Sequence, residues 1–159
     1  WTKICFAKWI VLKMYKPLPK TLTIKDSPIE GLGLFATEDI KKNSFIGITH
    51  IRDEQFENKY IRTPLGGFYN HSNEPNTIRM VSDILPKLKF GDLVDFSSTI
   101  EKIKDGKSNR ENLFYNLQEK PDAKYMFLIT TKDIKSGQEL TANYNLYTYP
   151  KTGVGLQMI

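Results

Sequence analysis

Three short segments of this chain bring together residue types that can bind a ligand or act on one. Gly31-Leu32-Gly33 sets two glycines one residue apart, and a backbone without Cβ atoms can come close to a bound molecule. A nucleotide-binding fingerprint needs a third glycine and a following helix. The sequence offers neither, so spacing alone favours a plain turn or bulge. Asn70-His71-Ser72-Asn73-Glu74-Pro75-Asn76 crowds hydrogen-bonding side chains and a proline into one short stretch. Taken alone it reads as a capped turn, and a lone histidine is more often a structural group than a catalyst. Glu139-Leu140-Thr141-Ala142-Asn143-Tyr144 ends on a tyrosine, which at the end of a strand usually packs.

Other chemistries find no support. His50 is the only further histidine, so a His-based metal site is not expected. Cys5 is the single cysteine, which excludes a disulfide framework or a Cys-rich zinc site within the chain and suits a reducing, intracellular setting. No G-x-S-x-G element or nucleophilic Cys–His arrangement is present.

The elements that must position these residues read as short strands. Residues 22–25, 45–48, 77–82 and 125–130 carry strand patterns, with turns at 26–28, 37–43 and 135–138. Residues 52–62 are the best helix candidate of the first half, with Phe56 and Tyr60 four apart, and Pro64 limits them. Gly66-Gly67 opens a new element. Residues 87–96 are expected to include a strand, and 98–110 are polar. There is no repeat and no alternation of strands with long helices, so a mostly-β domain is expected rather than a doubly wound fold.

Bulk properties bound the rest. At 159 residues the chain fits one domain. Its net charge is +5, but the lysines are scattered, so direct nucleic-acid binding is not expected. The longest apolar run of the first 16 residues is Trp9 to Leu12, far short of the roughly 20 that cross a bilayer. Neither a membrane span nor a signal peptide is expected.

In their order along the chain, the three segments resemble the SET domain family of protein lysine methyltransferases. Gly31-Leu32-Gly33-Leu34-Phe35-Ala36 is similar to the family's G-x-G-hydrophobic-Phe-Ala segment. Phe68-Tyr69-Asn70-His71-Ser72-Asn73-Glu74-Pro75-Asn76 is similar to its N-H-S-C-x-P-N, and residues 134–144 to its I-x-x-G-E-E-L-T-x-D-Y. The likeness spans about residues 22–149, in the compact form of virus-type, stand-alone SET proteins.

The resemblance implies a SET β-clip-like fold of small curved sheets, with few short helices and a knot-like C-terminal crossing. It divides the chain into an N-terminal extension (1–20), a SET domain (21–150, with an insertion at 83–122) and a tail (151–159). It implies S-adenosyl-L-methionine as cofactor, bound by Gly31, Leu32, Gly33, Asn70, His71 and Tyr144. Tyr144 would be the main catalytic residue, with Tyr147 or Tyr149 over the adenine or along the lysine channel. The partner would be a protein or peptide presenting a lysine, with a homodimer expected only by analogy, and no metal. A SET-like docking module without useful turnover is the alternative. Departures from the family pattern are Asn73 for Cys, read as a packing change, Gln138 for Glu and Asn143 for Asp. Thr49 and Arg79 lie where some relatives place further channel tyrosines. The 83–122 insertion would serve as a specificity element or interaction surface.

Overall fold

Strand-forming residues between turns build two small antiparallel-rich sheets, described for residues 17–56, 58–94, 115–116 and 120–144 in a computed structural model. In the first sheet, β1 (Leu22–Asp26) and β2 (Leu32–Ala36) form a hairpin in register from Leu22↔Ala36 to Asp26↔Leu32. The turn between them closes when Ser27 N–H donates to Gly31 O at 2.8 Å, with Gly31 at φ +51°, a backbone that favours glycine. β9 (Glu139–Ala142) pairs with β2, and β5 (Asn70–His71) runs parallel along the other side of β9. The strand order is β1-β2-β9-β5.

The second sheet runs β4-β3-β8-β6-β7. It comprises β3 (Phe45–Arg52), β4 (Tyr60–Arg62), β6 (Thr77–Ser82), β7 (Tyr115–Asn116) and a central β8 (Tyr125–Thr130). β8 is apolar on both faces because both are covered. Leu128 packs with Leu34, Ile46 and Leu140, while Phe127 and Ile129 pack with Phe45 and Met80 on the opposite side. Each such fully buried side chain is worth about 1.5–3 kcal/mol relative to exposure, so β8 anchors both layers.

The helix expected over residues 52–62 is replaced by the β3–β4 hairpin. Asp53 Oδ1 accepts Gln55 N–H at 2.9 Å, Asp53 N–H donates to Lys59 O at 3.0 Å, and Lys59 takes φ 57°. The chain therefore turns back and pairs Arg52↔Tyr60 and His50↔Arg62. A single Phe–Tyr pair at i, i+4 contributes only about 0.2–0.5 kcal/mol to a helix, less than a strand gains by pairing on an open edge. Phe56 is half exposed, and the Tyr60 hydroxyl donates to Pro121 O at 3.2 Å.

Among the described residues a helix forms instead at α1 (Pro64–Phe68), which begins at Thr63, whose Oγ1 accepts Gly66 N–H. Residues 87–94 form no strand, only an isolated bridge between Ser44 and Leu93. Most of the insertion, the first 16 residues, and Tyr147 and Tyr149 lie outside the described residues. Among the described residues no helix is long and apolar enough to cross a membrane.

Candidate functional site

β9 brings the three segments together. It lies between β2, which carries Leu32 and Gly33, and β5, which is Asn70–His71, and it leads directly to Tyr144. The Asn70–Asn76 segment supplies the bonds that fix it there. Asn76 works like a piece of strand, its Nδ2 donating to Glu139 O at 2.8 Å and its Oδ1 accepting Thr141 N–H at 2.9 Å. Ser72 N–H donates to Ala142 O at 3.1 Å, and the Thr77 hydroxyl donates to Thr141 O at 2.7 Å. The capped turn read from the sequence is also present, with Ser72 Oγ accepting Glu74 N–H.

Asn70 ties the glycine turn to β9. Its Nδ2 donates to Glu139 Oε1 at 2.7 Å, to Glu30 O at 3.1 Å and to Leu32 O at 3.3 Å. Ser27 Oγ lies 2.9 Å from both Glu139 oxygens. Gly33 leaves room inside this knot of bonds, since a Cβ there would stand 2.2 Å from Glu139 Oε1 and push the carboxylate aside. At Gly31 a Cβ would meet nothing within 4 Å, and Ile29 and Leu32 beside it are about half exposed. The two glycines thus differ: Gly33 makes room for Glu139, and Gly31 sits on an open surface.

Tyr144 is held at both ends. Its backbone N–H donates to His71 Nδ1 at 2.9 Å, and its hydroxyl donates to Tyr69 O at 2.5 Å. Its ring stands edge-on to Tyr69 and tilted against His71, with centroids 6.0 and 5.3 Å away. An amide N–H can only donate, so Nδ1 is the accepting nitrogen of His71 and the ring hydrogen is on Nε2. That hydrogen points to Asn73 Oδ1 at 3.2 Å. Asn73, expected to change only packing, therefore accepts the hydrogen that fixes the His71 tautomer.

The carbonyl that receives the Tyr144 hydroxyl is placed by α1. A Cβ on Gly66 would stand 2.1 Å from Thr49 O, so only glycine lets the helix lie this close to β3. Thr63 pins the same junction by donating to Ile48 O at 2.6 Å. Tyr69 follows the helix and is buried.

Thr49, His50 and Arg79 are buried in the second sheet. The Thr49 hydroxyl donates to Met126 O at 3.2 Å, so Thr49 Oγ1 accepts from His50 Nδ1 at 3.1 Å. Burial first, then the positive charges of Arg62 and Arg79, push the His50 pKa down to about 4. Arg79 Nη2 donates to Asn143 O at 2.8 Å, immediately before Tyr144. In Asn143 the main-chain oxygen therefore makes the contact. Gln138 Oε1 accepts Lys135 N–H and closes its turn.

Ser27, Tyr69 and Glu139 have no chemical role that their spacing reveals. Ser27 reads as turn polarity and Tyr69 as an apolar neighbour of Asn70. Glu139 sits within the third segment, but its partners lie 69 and 112 residues away.

A model of the SET domain matches residues 31–145 of this chain. No curated protein matches it. Among solved structures, a crystal structure of a Plasmodium falciparum "putative histone methyltransferase" is similar at 20% identity and a TM-score of 0.49, covering 80% of this chain and 95% of that one.

Proposed function

This chain belongs to the SET domain family, and from that premise we propose that it is a protein lysine N-methyltransferase using S-adenosyl-L-methionine. One observation carries the reading: Gly31-Leu32-Gly33, Asn70-His71 and Tyr144 meet across the adjacent strands β2, β9 and β5. The surface fits a ligand with polar and apolar parts. Gly31 is open, Ile29 and Leu32 present apolar side chains, and His71 is half-buried beside Tyr144. Backbone groups of Gly31, Leu32 and Gly33 would hold the cofactor together with Asn70, His71 and the Tyr144 ring. When bound, the cofactor supplies an electrophilic methyl group on a sulfonium.

The remaining work is alignment and proton control by the chain itself. The acceptor lysine must be an unprotonated amine, while a free lysine has a pKa of about 10.4. A narrow, dry approach favours the neutral amine. Tyr144 orients it. With the hydroxyl hydrogen held by Tyr69 O, the phenolic oxygen acts as an acceptor toward the amine N–H. His71 and Tyr69 fix where that oxygen stands. Alignment of two reactants can supply up to about 7–11 kcal/mol in favourable systems. No covalent enzyme intermediate is required, and a tyrosine hydroxyl, with a pKa near 10, is a poor base at neutral pH.

Two measurements test this reading. S-adenosylhomocysteine at saturation is expected to raise the unfolding midpoint, because a ligand bound only by the folded state stabilises it. Labelled methyl transfer from S-adenosylmethionine into a lysate, read by mass spectrometry, is expected to yield methyllysine with the wild-type chain and little with Tyr144→Phe. Methylarginine products would overturn the lysine assignment. Equal labelling by the variant would remove Tyr144 from its role. No ligand-induced shift and no labelling would leave a docking module in place of an enzyme.

A further inference from the structure

We propose that Glu139 is a positioning residue for the cofactor, its carboxylate holding the 27–33 turn in the shape that receives it. The proposal rests on the reading above that this turn takes the cofactor. Glu139 opens β9, is partly buried, and forms no salt bridge among the described residues. Its bonds go instead to two side chains that between them hold the backbone of the turn.

Ser27 reaches Glu139 with its hydroxyl, and the same oxygen accepts Ile29 N–H at 3.0 Å and Glu30 N–H at 3.4 Å. Asn70 reaches Glu139 with Nδ2, and the same nitrogen donates to the carbonyls of Glu30 and Leu32. Two N–H groups and two carbonyls of the turn are thus tied, through one intermediary each, to a single carboxylate. Oε1 accepts from both intermediaries, and Oε2 also faces the Ser27 oxygen, so the site suits a group with no hydrogen of its own. A carboxamide keeping its oxygen at Oε1 would put an NH2 2.9 Å from Ser27 Oγ, which already accepts Ile29 and Glu30 N–H. Gly33 is the sequence's accommodation to this arrangement, for any Cβ there would displace Oε1. The turn's remaining face, at Gly31, is the open one.

The test uses the full chain with Glu139→Gln, which preserves size, and Ser27→Ala, which lies on a turn and spares the core. Amide hydrogen exchange is read in the ligand-free proteins, and the Kd of S-adenosylhomocysteine by calorimetry. Both variants are expected to speed exchange at Ile29 and Glu30 and to weaken the ligand about tenfold, the effect of losing one charge-assisted hydrogen bond's worth of preorganisation. Adding Ser27→Ala to Glu139→Gln is expected to weaken the ligand by less than the product of the two single effects, since both variants break the Ser27–Glu139 linkage. Unchanged exchange at Ile29 and Glu30 in folded variants would overturn the holding role. Faster exchange with an unchanged Kd would overturn its relevance to the cofactor, as would fully multiplicative effects in the double variant. A wild-type chain that binds no S-adenosylhomocysteine would defeat the proposed function and the cofactor role together. The exchange data on ligand-free protein would still decide whether Glu139 holds the turn.

Discussion

Lowering the pH from 7 to 5 should destabilise this protein through His50 alone by about 2 kcal/mol. The imidazole is buried on β3, donates to Thr49 and faces the Tyr60 ring edge-on at 6.0 Å. Its pKa falls from the ordinary 6.5 to about 4, chiefly by burial and then by Arg62 and Arg79. The sign follows from proton uptake. Between those values the unfolded chain binds a proton at His50 and the folded chain does not. The associated stability is therefore fully present above pH 6.5 and is lost as the pH falls toward 4. At about 1.4 kcal/mol per pH unit the complete loss is about 3 kcal/mol, of which about 2 kcal/mol is gone by pH 5. Asp39 and Glu54, held below their ordinary values of 3.8 and 4.5 by hydrogen bonds from Lys135 and Arg52, act in the same direction but at lower pH. The assay is urea unfolding at pH 7, 6 and 5 for wild type and His50→Gln. The variant should start less stable, because ring packing is lost, but its stability should change less with pH by about 2 kcal/mol. Parallel profiles for the two proteins would refute the argument.

Three further outcomes follow from the site. Gly66→Ala puts a Cβ against Thr49 O, so α1 must move and carry Tyr69 with it. A loss of about 1–3 kcal/mol in chemical unfolding is expected, with methyl transfer falling further than stability explains. Asn73→Ala removes the acceptor of His71 Nε2–H, at a cost of about 1 kcal/mol. Nitrogen NMR of wild-type His71 should show a pyridine-like Nδ1, and a protonated Nδ1 would contradict the bond to Tyr144. Tyr144→Phe keeps the ring against His71 but loses the oxygen. Its turnover should drop about 100-fold or more, the scale for removing one positioned polar group from a reacting centre.

Much of the architecture was legible in local patterns. β1, β3, β6 and β8 lie where the strand patterns put them, because a strand that buries one or both faces must show it in composition. The 52–62 segment was misread for a related reason. One aromatic pair at helical spacing is a weak local signal, and the edge of β3 that overrode it is a tertiary feature. α1 escaped notice since Pro64-Leu65-Gly66-Gly67-Phe68 holds two poor helix formers. Gly66 is there for contact with β3, which no propensity scale registers.

By itself the sequence determined the mostly-β class, the family and the ordered trio of segments, for these depend on residue type and order along the chain. Only the tertiary structure decided how the segments are wired. It set Glu139 beneath the glycine turn, gave Asn73 the hydrogen of His71 and put Tyr69 O under the Tyr144 hydroxyl. The physical reason is range. A strand pattern is written in neighbouring residues, whereas a hydrogen bond across 112 positions exists only once β9 has settled between β2 and β5.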